Sequence, residues 1–237
     1  MRCMMQKKLL LALCAAGLLP QTGIAEVTGA EVGFHYSTLA DAGARDLNKA
    51  TLGGALEYGI GPQFSVQGDL AQRYYGLTNW DGTTFTLHGS YRPTDAMAAG
   101  AFVGHDWLDN QDVIYYGLEF ANKVNQISYE AAFTHFDSAG KNANGLTLRG
   151  GYAVNQQLDL GGRVDIVHGE GDNNYRVSGT AGYEITPGIQ ATGELGFYDG
   201  DGMAAESFIG VGVKATFGNN NGVTFGGRGI QDFLPGL

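Results

Sequence analysis

The stretch YRVSGTAGYEI, Tyr175 to Ile185, decides the fold. Tyr175, Val177, Gly179, Ala181, Tyr183 and Ile185 share one parity; Arg176, Ser178, Thr180, Gly182 and Glu184 share the other. A repeat of two puts successive side chains on opposite faces, so this is a β-strand with one apolar and one polar face. Turn-forming residues bound it, Glu170 to Asn173 before and Pro187-Gly188 after.

The same alternation runs outward in both directions. In Gln63 to Arg73, Phe64, Val66, Gly68 and Leu70 oppose Ser65, Gln67, Asp69, Ala71 and Arg73. Thr84 to Arg92 and Asn144 to Val154 repeat it. Twelve strands are predicted, at 27–40, 49–60, 63–76, 83–92, 97–108, 112–124, 126–137, 145–154, 157–169, 174–186, 189–199 and 206–217. Single-strand signals of this kind are weak, and ten to fourteen strands fit them. Most of the segments exceed the globular average of about five or six residues. They match the roughly 9–11 residues of a tilted strand that crosses a bilayer.

Tight turns are expected at Gly61-Pro62, Pro93-Thr94-Asp95, Asn125, Asn155-Gln156 and Pro187-Gly188. Longer polar connections are expected between them, at 41–48, 77–82, 109–111, 138–143, 170–173 and 200–205. Short turns on one rim and longer loops on the other are the hairpin pattern of a transmembrane barrel. The hairpin period, about 31 residues, is too short for a propeller blade of about 40.

Composition narrows the class. The chain has 39 Gly among 237 residues, more than twice the usual share. With 43% hydrophobic and 11% aromatic residues it is not a disordered chain. Its 24 acids against 14 bases argue against a nucleic-acid partner. Residues 1–25 read as a cleaved signal peptide: Arg2, Lys7 and Lys8 precede an apolar core from Leu9 to Leu19, and Gly23-Ile24-Ala25 offers a small-residue cleavage site before Glu26. Both cysteines, Cys3 and Cys14, lie in that peptide. Residues 26–237 therefore fold without disulfides.

A soluble β-sandwich also alternates. Three features favour the membrane barrel. The polar face mixes Gly, Ala, Ser and Thr with isolated charges, which suits a packed or wet lumen. The predicted strand number is even. Aromatics gather at strand ends: Tyr58, Phe64, Tyr91, Phe120, Tyr129, Tyr152, Tyr183 and Phe217 near the tight turns, with Tyr36, Tyr75, Trp107, Tyr115 and Tyr175 toward the other rim. Two such girdles are expected where amphipathic rings meet lipid headgroups.

From Val27 to Phe217 the pattern resembles the Gram-negative outer-membrane β-barrels, most closely the porin-like ones. The stretch Ile209 to Phe217, IGVGVKATF, looks like the barrel-insertion signal of that superfamily, with Gly212 inside the last strand and Phe217 as its terminal aromatic. There the aromatic usually ends the chain; here Gly218 to Leu237 follow. The resemblance implies an all-β, antiparallel transmembrane barrel over 26–217, with short periplasmic turns and longer extracellular loops. It places 218–237 as a periplasmic tail, either a plug or disordered. It also implies contact with outer-membrane lipid, lipopolysaccharide and the barrel-insertion machinery.

Parity then assigns the lumen. The acids Glu31, Glu57, Asp69, Asp106, Glu119, Glu130, Asp159, Asp165, Glu184 and Glu194 are expected to point inward, with the bases Arg73, Arg92, Lys123, Arg149, Arg163, Arg176 and Lys214. Ten acids against seven bases describe a mixed lumen with a small negative excess. As a water-filled pore it would pass small hydrophilic solutes with a mild cation preference. As an ion-paired, self-satisfied lumen it would belong to a structural or adhesive barrel. Acids also dominate the predicted loops: Asp41, Asp46, Asp81, Asp109, Asp112, Asp137, Glu170, Asp172, Asp199, Asp201 and Glu206 stand against Arg45, Lys49 and Lys141.

No cofactor or metal is expected. Asp199-Gly-Asp201-Gly lacks the further acidic ligands of a calcium loop. His105, His135 and His168 share the outward face with Trp107, Phe133 and Ile166, too far apart around the barrel for one tetrahedral ion. His35 and Ser37 share a face, as a base and nucleophile require. That face is predicted to be luminal, where no lipid ester lies, so an enzyme is not expected. A homo-oligomer is compatible with an outer face that is apolar all round.

Overall fold

A computed structural model describes residues 25–41, 46–76, 80–109, 111–169, 173–200, 205–219 and 222–234. Residues 1–24, most of the expected signal peptide, and Arg45, Glu170, Asp172 and Asp201 of the expected loops lie outside the described residues, whereas Ala25, expected to end that peptide, begins the first strand. Twelve antiparallel strands close into one barrel. They are β1 (Ala25–Leu39), β2 (Asn48–Ile60), β3 (Phe64–Tyr75), β4 (Asp81–Thr94), β5 (Met97–Leu108), β6 (Gln111–Val124), β7 (Ile127–Ser138), β8 (Lys141–Ala153), β9 (Leu158–Gly169), β10 (Asn173–Thr186), β11 (Ile189–Gly200) and β12 (Glu206–Phe217). Each pairs with its sequence neighbours. The seam is the β1–β12 ladder, running from Ala30 opposite Phe217 to Leu39 opposite Phe208. Closure leaves no strand edge unpaired.

The alternation becomes two surfaces. The outer one is apolar: Leu118 and Leu195 are 68% and 65% exposed at mid-height. The inner one is polar and buried, so the usual soluble arrangement is inverted. Between the strands and whatever fills the barrel sit two apolar clusters. Phe102, Tyr115, Ala132, Phe136 and Val167 gather around Phe233. Leu39, Tyr198 and Phe208 gather beside Leu47 and Leu234.

Some rim expectations change. Tyr75 and Tyr115 do not join the outer girdle; both are buried inside, at 6% and 0% exposure. Tyr75 shares its parity with Arg73, and Tyr115 with Glu119. Their neighbours Tyr74 and Tyr116 take the outward positions, with Tyr36, Trp107 and Tyr175. The expected 138–143 loop is a two-residue hairpin: β7 continues to Ser138 and β8 begins at Lys141. Ala139 and Gly140, with φ of 48° and 84°, provide the left-handed pair that matches strand twist in such a turn. The 109–111 connection is equally short. Asp81, Asp112, Asp137, Asp199 and Glu206 are strand residues at that rim, not loop residues.

After Phe217 the chain turns back. Gly218 and Gly222, at φ of 88° and 120°, adopt backbone conformations that glycine takes without strain. Residues 222–234 then run inside the barrel and finish in a short 3₁₀ turn, Ile230–Asp232, before Phe233 and Leu234.

Candidate functional site: the lumen and its resident segment

The segment ascends from the rim of tight turns toward the opposite rim, and its partners record the path. The Thr224 amide and hydroxyl donate to Glu57 Oε2 at 2.8 and 2.6 Å. Arg92 donates to Glu57 Oε1 at 2.5 Å. One side chain, Gln67, bonds both main-chain groups of Phe225: its Oε1 accepts from the amide at 3.1 Å and its Nε2 donates to the carbonyl at 2.7 Å.

Arg228 lies deeper, 1% exposed. Its Nε donates to Glu119 Oε2 at 2.9 Å. Its Nη1 is 2.7 Å from Glu130 Oε1. Its guanidinium lies over the rings of Phe102 and Phe225, at 5.6 and 5.8 Å from their centroids. His88 sits beside this pair, with Nδ1 2.8 Å from Glu119 Oε1 and Nε2 3.1 Å from Asp69 Oδ2. The Phe225 ring stacks on it. Arg149 bonds Glu130 at 3.2 Å and donates to the Gly227 carbonyl at 3.2 Å.

Toward the far rim, four bases converge on the residues around Asp232. Arg73 pairs with its carboxylate. Arg163 and Arg176 donate to its main-chain carbonyl at 3.1 and 2.9 Å. Lys49 donates to the Gln231 carbonyl at 2.8 Å and to that of Leu234. Tyr75 donates to Gln231 Oε1 at 3.0 Å.

Glycines give the segment room. A Cβ on Gly226 would overlap the Arg149 guanidinium, and one on Gly229 the Asp106 carboxylate. Arg228 is thus the one long side chain of a Gly-Gly-Arg-Gly run.

The barrel is not filled. A cavity of about 280 Å³ lies beside the segment, lined among others by Glu31, His35, Asp69, Arg73, Lys214 and Asp232. One of about 260 Å³ shares His35 and Thr192 with it, and adds Asp159 and Glu194. A third, of about 370 Å³ at the tight-turn rim, shares Asp159 and Gln190 with the second and adds Glu184. This polar side of the lumen presents six acids, Glu31, Asp69, Asp159, Glu184, Glu194 and Asp232, against Arg73 and Lys214.

The structure puts the side chains of Glu31, Glu57, Asp69, Arg73, Arg92, Asp106, Glu119, Glu130, Arg149, Asp159, Asp165, Arg163, Arg176, Glu184, Glu194 and Lys214 on the inner face, mostly in ion pairs. Arg163 meets Asp165 at 2.6 Å and Arg176 meets Glu194 at 2.6 Å. Glu31 and Lys214 are 4.0 Å apart. Lys123 is exposed at the tight-turn rim. Lys49 is a correction: assigned above to a loop, it is a buried residue of β2 facing inward. His88 is a further luminal member, signalled by its shared parity with Arg92. Gly212 faces inward between His35 of β1 and Thr192 of β11, and Phe217 faces outward at the end of β12. His35 and Ser37 both face inward. His105 and His135 face outward, against Trp107 and Tyr116.

No protein-family model matches the sequence, and no curated protein does. Solved structures do match. A KdgM porin superposes with TM-score 0.62 at 11% identity, over 79% of this chain and 99% of its own. A NanC porin gives 0.62 at 9%, over 78% and 98%. The COG4313 outer membrane channel from Pseudomonas putida F1 gives 0.59 at 12%, over 86% and 98%. At such identities the likeness is one of fold: the chain has the fold of the porin-like outer-membrane barrels.

Proposed function

We propose that this protein is an outer-membrane channel for passive diffusion of small hydrophilic solutes, with a mild preference for cations. The supporting observation is the run of three cavities beside the segment, which share lining residues and carry six acids, inside a closed barrel whose exterior is apolar. An exterior of that kind is stable in hydrocarbon, where closure satisfies every backbone group. Acids outnumber bases six to two along these cavities, and Asp159 and Glu184 stand there without an ion pair among the described residues. A lining of one sign raises the local concentration of the opposite ion. The KdgM porin has also been solved in complex with disordered oligogalacturonate, which supports a hydrophilic solute for this fold.

In this reading residues 1–25 export the chain and are removed. The tight turns face the periplasm, the other rim faces outward with its acids toward lipopolysaccharide, and Gly212 and Phe217 belong to the insertion signal. The chemistry is passage, with no catalytic step. A second reading, a structural or adhesive barrel with a closed lumen, is favoured by the segment at 222–234.

Planar-bilayer recording of residues 26–237 separates the two. The channel reading expects openings whose reversal potential in a salt gradient shifts toward the cation potential. Silence from folded protein, repeated after Gly218 to Leu237 are deleted, overturns it and leaves the structural barrel.

A further inference from the structure

The way the barrel holds residues 222–234 differs from the way it holds itself. Strands are joined by main-chain ladders. The segment is joined to the strands by side chains: among the described residues, its main-chain pairings, Asp232 to Gly229 and Phe233 to Ile230, are internal. Barrel side chains nevertheless read its backbone closely. Main-chain groups of Thr224, Phe225, Gly227, Gln231, Asp232 and Leu234 bond to Glu57, Gln67, Arg149, Asp106, Arg163, Arg176 and Lys49. Both donors and acceptors are matched, as at a peptide-binding site.

Specificity comes from two charges and two rings. Arg228 enters a pocket of Glu119 and Glu130 between aromatic faces, Asp232 meets Arg73, and Phe225 and Phe233 fill apolar recesses against His88 and Phe136. The run Gly226-Gly227-Arg228-Gly229 is small wherever the wall comes close. The barrel closes through its twelve strand-to-strand ladders, in which the segment takes no part.

We infer that the lumen is a peptide-binding site, and that residues 222–234 are its tethered self-ligand, released and rebound as a unit. The ligand class is a glycine-rich peptide that ends in a 3₁₀ turn and carries one arginine and, four residues on, one aspartate between apolar anchors. Release and rebinding proceed by the tight-turn rim, where the Gly218–Gly222 linker lies. Occupancy by the segment narrows the lumen, and its departure widens it.

The test keeps the full chain through folding. A protease recognition sequence is inserted between Gly218 and Gly222, and the folded protein is cut in detergent and washed. A fluorescein-labelled peptide of residues 222–234 is then titrated and followed by anisotropy. The inference expects saturable binding. It expects a peptide with R228Q and D232N to bind at least tenfold more weakly, since each change removes a buried charge-assisted bond, and a scrambled peptide not to compete. Three results overturn it: a cut segment that neither washes out nor exchanges with the label, scrambled peptide binding equally well, or loss of the folded barrel on release. Anisotropy is independent of conduction. A barrel that conducts but binds no peptide refutes this inference alone; a barrel that binds peptide but stays silent refutes the channel alone.

Discussion

Replacing Arg228 by Ala tests the docking of the segment most directly. The guanidinium holds Glu119 and Glu130 together, at 2.9 and 2.7 Å, from a site that is 1% exposed. Breaking a buried ion pair from one side costs about 3–5 kcal/mol, because the remaining charge is stranded. Here each carboxylate keeps another partner, Glu119 with His88 and Glu130 with Arg149. The lower end, about 3 kcal/mol, therefore applies. At about 1.4 kcal/mol per tenfold, the undocked fraction of the segment rises on the order of 100-fold. Residues 26–237 contain no cysteine, so I230C supplies a unique thiol within the docked segment. Its maleimide labelling rate, in the regime where undocking is fast and reversible, reports the undocked fraction. The expected result is labelling about 100-fold faster in R228A/I230C than in I230C, with the strand circular dichroism unchanged because the twelve ladders remain. A rate within about twofold of the parent would refute the reasoning, since the pair would then contribute almost nothing to docking.

Three further outcomes follow from the same geometry. G226V places a branched side chain against Arg149 and is expected to accelerate labelling of I230C as well, while leaving barrel assembly intact. L118R puts a charge at mid-height on the outer face and is expected to cost about 2–4 kcal/mol in folding into lipid vesicles; an unchanged denaturant midpoint in vesicles argues against a membrane-facing belt. The double variant E31Q/D69N removes two carboxylates from the passage and is expected to move the reversal potential toward zero, whereas an unaltered potential places selectivity elsewhere.

The strands were legible because hydrophobic parity is a local signal repeated twelve times. The boundaries of β5 and β12 coincide with the sequence reading, and most others fall within two residues. Parity also located most of the inward charges, although Lys123, expected inward, is exposed at the tight-turn rim. Where it was set aside, the reading failed. Lys49 has the parity of Glu57, but a lysine beside a polar loop reads as solvent-exposed. Tyr75 and Tyr115 have the parity of Arg73 and Glu119, but an aromatic at a strand end reads as an interfacial anchor. The Ala139-Gly140 hairpin was hidden because Lys141 and Asn142 look like loop residues, although they continue the ladder opposite Ser138 and Asp137. The contacts of residues 222–234 were not legible. Nothing local says that Arg228 meets two carboxylates more than ninety residues away; only barrel closure brings them together.

The inverted construction has a consequence for how the sequence can drift. Outside, in the proposed membrane setting, each side chain would face fluid lipid, so one apolar residue replaces another with little penalty. Inside, most charges are committed to a specific opposite, and a lone change strands its partner. The outer face is free to change one residue at a time, while the inner face changes in matched pairs. Half of each strand is therefore loosely constrained and half tightly, at intervals of two, and a comparison that weights all positions equally sees mainly the loose half.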